Sequence, residues 1–231
     1  MSRGQRRDMQ LLAIETATDI CSIAYVQNDA ILSEVNIYES RRHAELLAPA
    51  IEEQTKRHDF PFSELDAVAV SIGPGSFTGL RIGLSIAKGL IFGTDIQLIA
   101  VPTLLASAWE VHHLTDRVGV IHHSHRDFYF YAEYSLDENL STKTEPKRLE
   151  FSQLREIIPE NLDIVCRVPA DDTNMNTLTN SILSRDSVKA GNVARIAVAH
   201  PDRWVVEEPF IAEPEYLKDY QAVKYKNPIT S

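Results

Sequence analysis

The sequence predicts an α/β protein with two related lobes and mixed sheets. Three apolar, β-prone runs joined by short turns open the chain, which indicates an antiparallel meander rather than the strand–loop–helix start of a dinucleotide-binding fold. Two strand–helix units follow, at residues 65–92 and 96–114. A second α/β region then begins with a strand pair near residue 117. A meander, two α/β units and a new α/β region together favour two lobes built on one plan.

The acidic composition limits the partners of this chain. Its 231 residues include 23 Lys and Arg against 33 Asp and Glu, a net charge of −10. Such a surface repels polyphosphate, so the sequence argues against an extended nucleic-acid footprint made by this chain alone. The basic start, residues 1–9, is predicted to be a disordered tail, with an RNA contact by its arginines as the alternative.

Hydropathy and cysteine usage favour the cytoplasm. Apolar runs stay well short of the roughly 20 residues of a membrane span, and no signal-peptide core follows the basic tail. Cys21 and Cys166 lie far apart in apolar contexts. Buried thiols in a reducing compartment are the expected state for such a pair. We therefore expect a cytoplasmic protein without membrane contact.

The segment "GPGSFTG", residues 73–79, lies between a buried strand and a helix, where loops often bind phosphate. A phosphate loop of the Walker type needs Lys where Leu80 stands, and a dinucleotide fingerprint needs Gly where Thr78 stands. A nucleophile elbow needs Ser where Phe77 stands. The sequence therefore predicts a structural loop, with anion binding by free helix-start amides as the alternative. The predicted loop residues are Gly73, Pro74, Gly75, Ser76 and Thr78.

Two helices have apolar surface beyond a single stripe. The first spans about residues 42–57 and contains Pro49, which predicts a kink. The second spans about residues 78–92 and places Gly79, Gly83 and Ala87 four residues apart on one face. Glycine in a helix costs roughly 0.5–1 kcal/mol relative to Ala, so the stripe indicates close approach of another backbone. The pattern leaves open whether that backbone belongs to the same chain or to a partner.

Histidines cluster in the middle of the chain, at His112, His113, His122, His123 and His125. No two of these histidines are spaced i, i+4 on a predicted helix, and no cysteine lies among them. We therefore expect surface histidines rather than a metal site. Alternation along a strand sends His122 and His123 to opposite faces. Ser76 and Thr78 have no base visible in the sequence. No residue is therefore assigned a catalytic role.

The loop and its helix, "GPGSFTGLRIGLSIAKGL", closely resemble the signature of the TsaB (YeaZ) family of tRNA threonylcarbamoyladenosine modification. "LLAIETATDICSIAYV", "RRHAELLAPAIEE", "LDAVAVSIGPG" and "AVPTLLA" also match, whereas "ARIA" and "AEPEYLK" match more thinly. This resemblance implies a two-lobed actin-like (ASKHA, ribonuclease H-like) fold. The expected divisions are a tail at 1–9, a first lobe at 10–110, a diverged second lobe at 111–212, and a segment at 213–231 that returns to the first lobe.

The resemblance also implies a role. Members are regarded as non-catalytic scaffolds that bind TsaD, the transferase, together with the ATPase TsaE, and meet tRNA only indirectly. The helices at 42–57 and 78–92 would bind TsaD or, in the isolated protein, a second copy. The predicted interface residues are Leu46, Leu47, Ala50, Ile51, Gly79, Leu80, Gly83, Leu84 and Ala87.

The resemblance also implies that this chain has lost the catalytic residues of the related transferase. Thr103 and Ser107 occupy the places of the transferase's metal-binding histidines, and Ala17 stands where a phosphate loop of actin-like ATPases has glycine. No metal, cofactor or usual ATP site is therefore expected. The second lobe departs from the family at "HHSHRDFY" and "CRV". Two alternatives stay open: a glycopeptidase-like metallohydrolase or phosphotransferase, and a stand-alone homodimer with another partner.

Overall fold

The computed structural model describes residues 9–39, 42–185 and 188–217. The predicted tail at 1–9 lies outside the described residues except for Met9, as do positions 218–231 of the predicted C-terminal segment. Within the described ranges, no helix is long and apolar enough to cross a membrane.

The first lobe contains a mixed five-stranded sheet, as predicted. β1, β2 and β3 form the antiparallel meander, and β4 and β5 continue from β1 in parallel, giving the order β3-β2-β1-β4-β5. Alternation along β1 sends Leu12 and Ile14 to one face and Leu11 and Ala13 to the other. The strands are β1 Gln10–Glu15, β2 Cys21–Gln27, β3 Ala30–Ile37, β4 Ala67–Gly73 and β5 Gln97–Pro102.

Helices cover both faces of this sheet. α1 (His43–His58) and α2 (Phe77–Ile91) cover the face of Leu12 and Ile14, and α1 continues through Pro49. α3 (Thr103–Trp109) packs on the other face. Both helices with excess apolar surface therefore lie side by side on one side of the first lobe.

The second lobe repeats the plan with a second mixed five-stranded sheet, in the order β10-β9-β6-β7-β8. β8 was missed by the sequence reading because this edge strand is mostly polar and contains Pro146, as tolerated on an edge. α4 (Phe151–Ile157) covers the outer face. The strands are β6 Arg117–His125, β7 Phe128–Ser135, β8 Ser141–Glu150, β9 Asp163–Arg167 and β10 Ile182–Ser184.

The two lobes share one hydrophobic core. α5 (Ala190–Ala199) lies within the range expected for the second lobe, yet it packs on β1 and β2 of the first. The Ala190 amide donates to the Ser22 hydroxyl at 2.9 Å. α3 meets β6 and β7 from the other side. The inner faces of both sheets are therefore joined by α3 and α5, which fixes the width of the cleft between them.

The chain returns to the first lobe after α5. The Val206 amide donates to the Leu98 carbonyl at 2.9 Å, and the Glu215 amide donates to the Ile72 carbonyl at 2.8 Å. Residues 203–217, which we call the strap, thus run from the edge of β5 to the end of β4. The described part of the predicted 213–231 segment lies against the first lobe.

Candidate functional site

The inner face of α2 packs on the turn between β1 and β2. A Cβ added to Gly79 would lie 1.9 Å from the Thr16 carbonyl oxygen, and one added to Gly83 would lie 2.3 Å from the Thr16 hydroxyl oxygen. The Thr16 hydroxyl donates to the Gly79 carbonyl at 2.8 Å. The backbone that approaches the small-residue stripe therefore belongs to this chain.

This packing corrects the predicted interface residues. Most of them are buried inside the first lobe, so they present no surface to another chain. The buried ones are Leu47, Ile51, Gly79, Leu80, Gly83, Leu84 and Ala87. Only Leu46 and Ala50 are partly exposed. The sequence showed the spacing correctly, but a small-residue stripe marks the face of closest packing, not the face left for a partner.

An apolar surface remains on the outer side of the two helices. Ile82, Ile86 and Leu90 of α2 and Ala50 of α1 are partly exposed, and each packs against the first-lobe core. We call these residues, together with Leu46, the outer face. The sequence signal for Ile82, Ile86 and Leu90 was their position flanking the glycine stripe.

A surface cavity of about 710 Å³ borders the outer face at Ile82 and reaches Tyr38, just after β3. Ile82 and Thr78 line it on α2, and His43 lines it at the start of α1. Tyr38, 71% exposed, also lines it. Of the outer-face residues, Ile82 lines this cavity, whose other lining residues include the polar Thr18, Asp19 and Ser76.

The Gly-Pro-Gly loop also packs against the turn between β1 and β2 of the same chain. A Cβ on Gly75 would lie 2.5 Å from the Ala17 carbonyl oxygen, and Gly73 has a φ of +127°, which side chains rarely allow. The Ser76 amide donates to the Ala17 carbonyl at 2.7 Å, and the Gly79 amide donates to the Ser76 hydroxyl at 3.2 Å. Two amides that a phosphate would need are thus occupied by the chain itself, in agreement with a structural loop.

A cavity of about 430 Å³ lies between the lobes. The first lobe contributes the turn after β1 and the loop before α2. The second lobe contributes the ends of β6 and β9, and Arg167 on β9 forms an ion pair with Asp19 across the cavity at 2.7 Å. The lining residues include Thr18, Asp19, Ser76, His122, His123, Ser124, Arg167 and Arg185.

Buried polar side chains lie behind this cavity. The Ser107 hydroxyl contacts His122 Nε2 at 2.6 Å, and burial together with the charge of Arg167 lowers the pKa of His122 to about 3. Burial raises the pKa of Glu15 to about 7, although the Ser71 hydroxyl and the Ala17 amide oppose the shift. At neutral pH, His122 is uncharged and Glu15 is close to its midpoint.

Thr103 and Ser107, at the places of the transferase's metal ligands, do not fit a metal. The Thr103 hydroxyl accepts the Gly73 amide at 3.1 Å, and both side chains are buried. In the described part of the chain, no group of three or more His, Cys, Asp or Glu is close enough to hold a metal ion.

The histidines of the predicted cluster lie in ordinary surroundings, except that His122 is buried. His112 stacks on Trp109, His123 contacts the Arg126 carbonyl, and His125 stacks on Phe128. His122 is buried, which corrects the expectation of surface histidines at that position. The predicted alternation of His122 and His123 across β6 is confirmed, because His122 meets α3 whereas His123 lies beside Tyr129.

The architecture defines the class of protein: two mixed sheets on one plan, joined by helices around a cleft, are a two-lobed actin-like fold. The solved structure of YeaZ from Pseudomonas aeruginosa superposes with a TM-score of 0.77 over 90% of this chain and all of that chain, at 23% identity. The family model for TsaD, tRNA N6-adenosine threonylcarbamoyltransferase, matches residues 31–151.

Curated relatives narrow the assignment. The "tRNA threonylcarbamoyladenosine biosynthesis protein TsaB" of Haemophilus influenzae is 33% identical over 68% of this chain and 64% of that protein. Its Escherichia coli counterpart is 35% identical over 57% of each chain. The chain belongs to the TsaD-type family of actin-like proteins, in its TsaB (YeaZ) group. It spans about six-tenths of the length of the curated relatives it matches.

Proposed function

We propose that this chain is a non-catalytic subunit in tRNA threonylcarbamoyladenosine biosynthesis and binds a TsaD-type transferase through its outer face. The relatives' names support the pathway. The observation that carries the binding role is the row of partly exposed apolar side chains of Ile82, Ile86 and Leu90, spaced four residues apart on α2. Contiguous apolar surface at partial exposure is typical of protein interfaces.

The proposal includes that this chain does not itself catalyse a reaction. The support for that part is the buried pair of Ser107 and His122. Ser107 and His122 have the spacing of a nucleophile and a base. Both are nearly inaccessible, however, and the charge of Arg167 disfavours the protonated imidazole that a general base must form. The chemistry of the pathway would therefore take place on the transferase.

The other partners follow from the same surface. Without the transferase, two copies would bury their outer faces against each other, so a homodimer would compete with the mixed complex. An ATPase of the TsaE type would join the mixed complex, and tRNA would be bound by the assembly rather than by this acidic chain. All of these components are expected in the cytoplasm.

A reconstituted modification assay tests the proposal. The chain, the TsaD-type and TsaE-type proteins of the same organism, a threonylcarbamoyl donor and unmodified tRNA are combined, omitting one protein at a time. Modified adenosine is measured by mass spectrometry after nuclease digestion. We expect no product from the chain alone and a strong dependence of the transferase on the chain. Product from the chain alone, or equal product without it, would contradict the proposal.

A further inference from the structure

Three large apolar side chains are exposed together at the end of α2. Phe92, directly after the helix, is 76% exposed, and Phe210 and Ile211 of the strap are 52% and 71% exposed. The Phe92 and Phe210 rings meet edge to face, with their centroids 5.7 Å apart. We call these three residues the strap patch. Single exposed apolar side chains are normal on a protein surface, whereas a contiguous group of large ones is typical of an interaction site.

The backbone that carries the strap patch is fastened to the first lobe. The Lys88 ammonium donates to the Phe210 carbonyl at 3.0 Å and to the Ala212 carbonyl at 2.7 Å. The Ile211 amide donates to the Glu208 carbonyl at 3.2 Å, which closes a turn. A partner would therefore meet a surface that is already formed, and binding would not have to order this segment.

The strap patch and the outer face lie on different sides of α2. Successive residues of an α-helix are about 100° apart around its axis, so Lys88 and Ile86 project to nearly opposite sides. Lys88 holds the strap turn, whereas Ile86 belongs to the outer face. A partner bound to the strap patch would therefore leave the outer face uncovered, and the two surfaces can be tested independently.

Exposed carboxylates border the strap patch. One follows Phe92 by three positions, and the others lie in the strap within three positions of Phe210 or Ile211. Among the described residues, none of them forms an ion pair with a basic side chain. The strap patch therefore has an apolar centre and an unpaired negative rim. The rim residues are Asp95, Glu207, Glu208 and Glu213.

The sign of this rim limits what can cover the strap patch. Unpaired carboxylates repel RNA phosphates and anionic lipid headgroups. A second copy of this chain would bring a second acidic rim against the first, which like-charge repulsion disfavours. A basic protein segment with apolar side chains matches both the charge of the rim and the apolar centre.

We propose that the strap patch binds a partner protein that presents a basic amphipathic helix. The apolar side chains of that helix would pack on Phe92, Phe210 and Ile211, and its lysine or arginine side chains would pair with the carboxylates of the rim. Pairs at an exposed rim add little affinity, so the apolar contacts carry most of the binding and the charges select the partner. This interaction is separate from binding of the transferase at the outer face.

Titration calorimetry at low salt with a synthetic helix of leucine and lysine tests the apolar centre. A leucine–glutamate helix of equal length is titrated beside it, and we expect saturable binding of the lysine helix only. Ile211→Ser should weaken that binding about tenfold, because an isoleucine side chain no longer leaves water in the complex. The matched control Leu114→Ser replaces an exposed leucine elsewhere and should bind like wild type.

A double variant tests the rim. Glu208→Gln with Glu213→Gln should weaken binding of the lysine helix several-fold at low salt and hardly at all at high salt, because salt screens exposed pairs. The matched control is Glu156→Gln with Glu160→Gln, which removes the same charge from exposed positions of the second lobe. Equal weakening by the two double variants would show attraction to the net charge of the chain and would contradict the proposal.

Further results would overturn the proposal. They are no saturable binding of the lysine helix by wild type, equal effects of Ile211→Ser and Leu114→Ser, and equal binding of the glutamate helix. A homodimer that Ile211→Ser dissociates, measured by light scattering, would assign the strap patch to a second copy. Binding that appears only after removal of positions 218–231 would assign it to that segment. Thermal unfolding verifies each variant, and Ile211→Ser should keep the wild-type midpoint because Ile211 is exposed.

Discussion

The two faces of α2 differ in residue size and in what they contact. The inner face carries Gly79 and Gly83, which bring the helix backbone against Thr16 of the same chain. The outer face carries Ile82 and Ile86, which are large and only partly buried. The glycine spacing thus showed which face of the helix another backbone approaches, but not whether that backbone belongs to this chain or to a partner. The residues left for a partner are the large apolar ones that the internal packing does not cover.

The strongest test of the inner face is an added methyl group. Gly79→Ala should destabilise the protein by about 3 kcal/mol or more, because its Cβ would overlap the Thr16 carbonyl. Gly89→Ala is the matched control on the same helix. Its Cβ meets nothing within 4 Å, so it should stabilise by roughly 0.5–1 kcal/mol. Urea unfolding measures both variants, and equal midpoints would contradict the described packing.

Truncation of large side chains should separate the two faces. Leu84→Ala should cost about 3 kcal/mol, because Leu84 is buried in the first-lobe core. Ile86→Ala should cost about 1 kcal/mol, since its side chain is already partly in water. The comparison is made by urea unfolding of the isolated chain. A larger loss for Ile86→Ala would mean that the outer face is part of the core.

Buried titratable groups behind the cleft should give opposing pH effects. Glu15, with its pKa raised to about 7, keeps a proton that the unfolded chain loses above pH 4.5, so it lowers stability as pH rises from 4.5 to 7. His122, with its pKa lowered to about 3, lacks a proton that the unfolded chain holds below pH 6.5, so it raises stability with pH up to 6.5.

Glu15→Gln should leave the rise of stability with pH that is due to His122, without the opposing effect of Glu15. Between pH 5 and 7, the variant should gain about 2 kcal/mol of unfolding free energy relative to wild type, from about 1.4 kcal/mol per pH unit and proton. Gln keeps an acceptor for the Ala17 amide, which Glu15 Oε1 accepts at 2.6 Å. Urea midpoints at several pH values give the result. Parallel pH profiles would show that Glu15 titrates as an exposed carboxyl.

The smallest effect is expected at the strap. The Lys88 ammonium donates to the Phe210 carbonyl at 3.0 Å and to the Ala212 carbonyl at 2.7 Å. Lys88→Met should cost about 1 kcal/mol or less and speed hydrogen exchange at the Glu215 amide, which is bonded to Ile72. Exposed Lys56→Met on α1 is the control. Equal exchange rates in both variants would mean that Lys88 does not hold the strap.

The fold was largely predictable, and the site only in part. Strand alternation and the meander order gave the first sheet because they depend on local patterns. β8 could not be predicted because a polar edge strand shows no apolar alternation. The Arg167–Asp19 pair escaped because it joins residues 148 positions apart. His122 was assigned to the surface because its burial depends on α3. Long-range contacts of this kind leave no periodic signal in one sequence.

Binding of the TsaD-type transferase is the most direct test of the outer face. Size-exclusion chromatography with light scattering compares mixed complexes of wild type, Ile82→Glu and the control Ser152→Glu, which lies exposed on α4. We expect a mixed complex for wild type and the control, and none for Ile82→Glu, with its urea stability within about 1 kcal/mol of wild type because Ile82 is partly exposed. A full yield of complex with Ile82→Glu would contradict the assignment of the outer face as the binding surface.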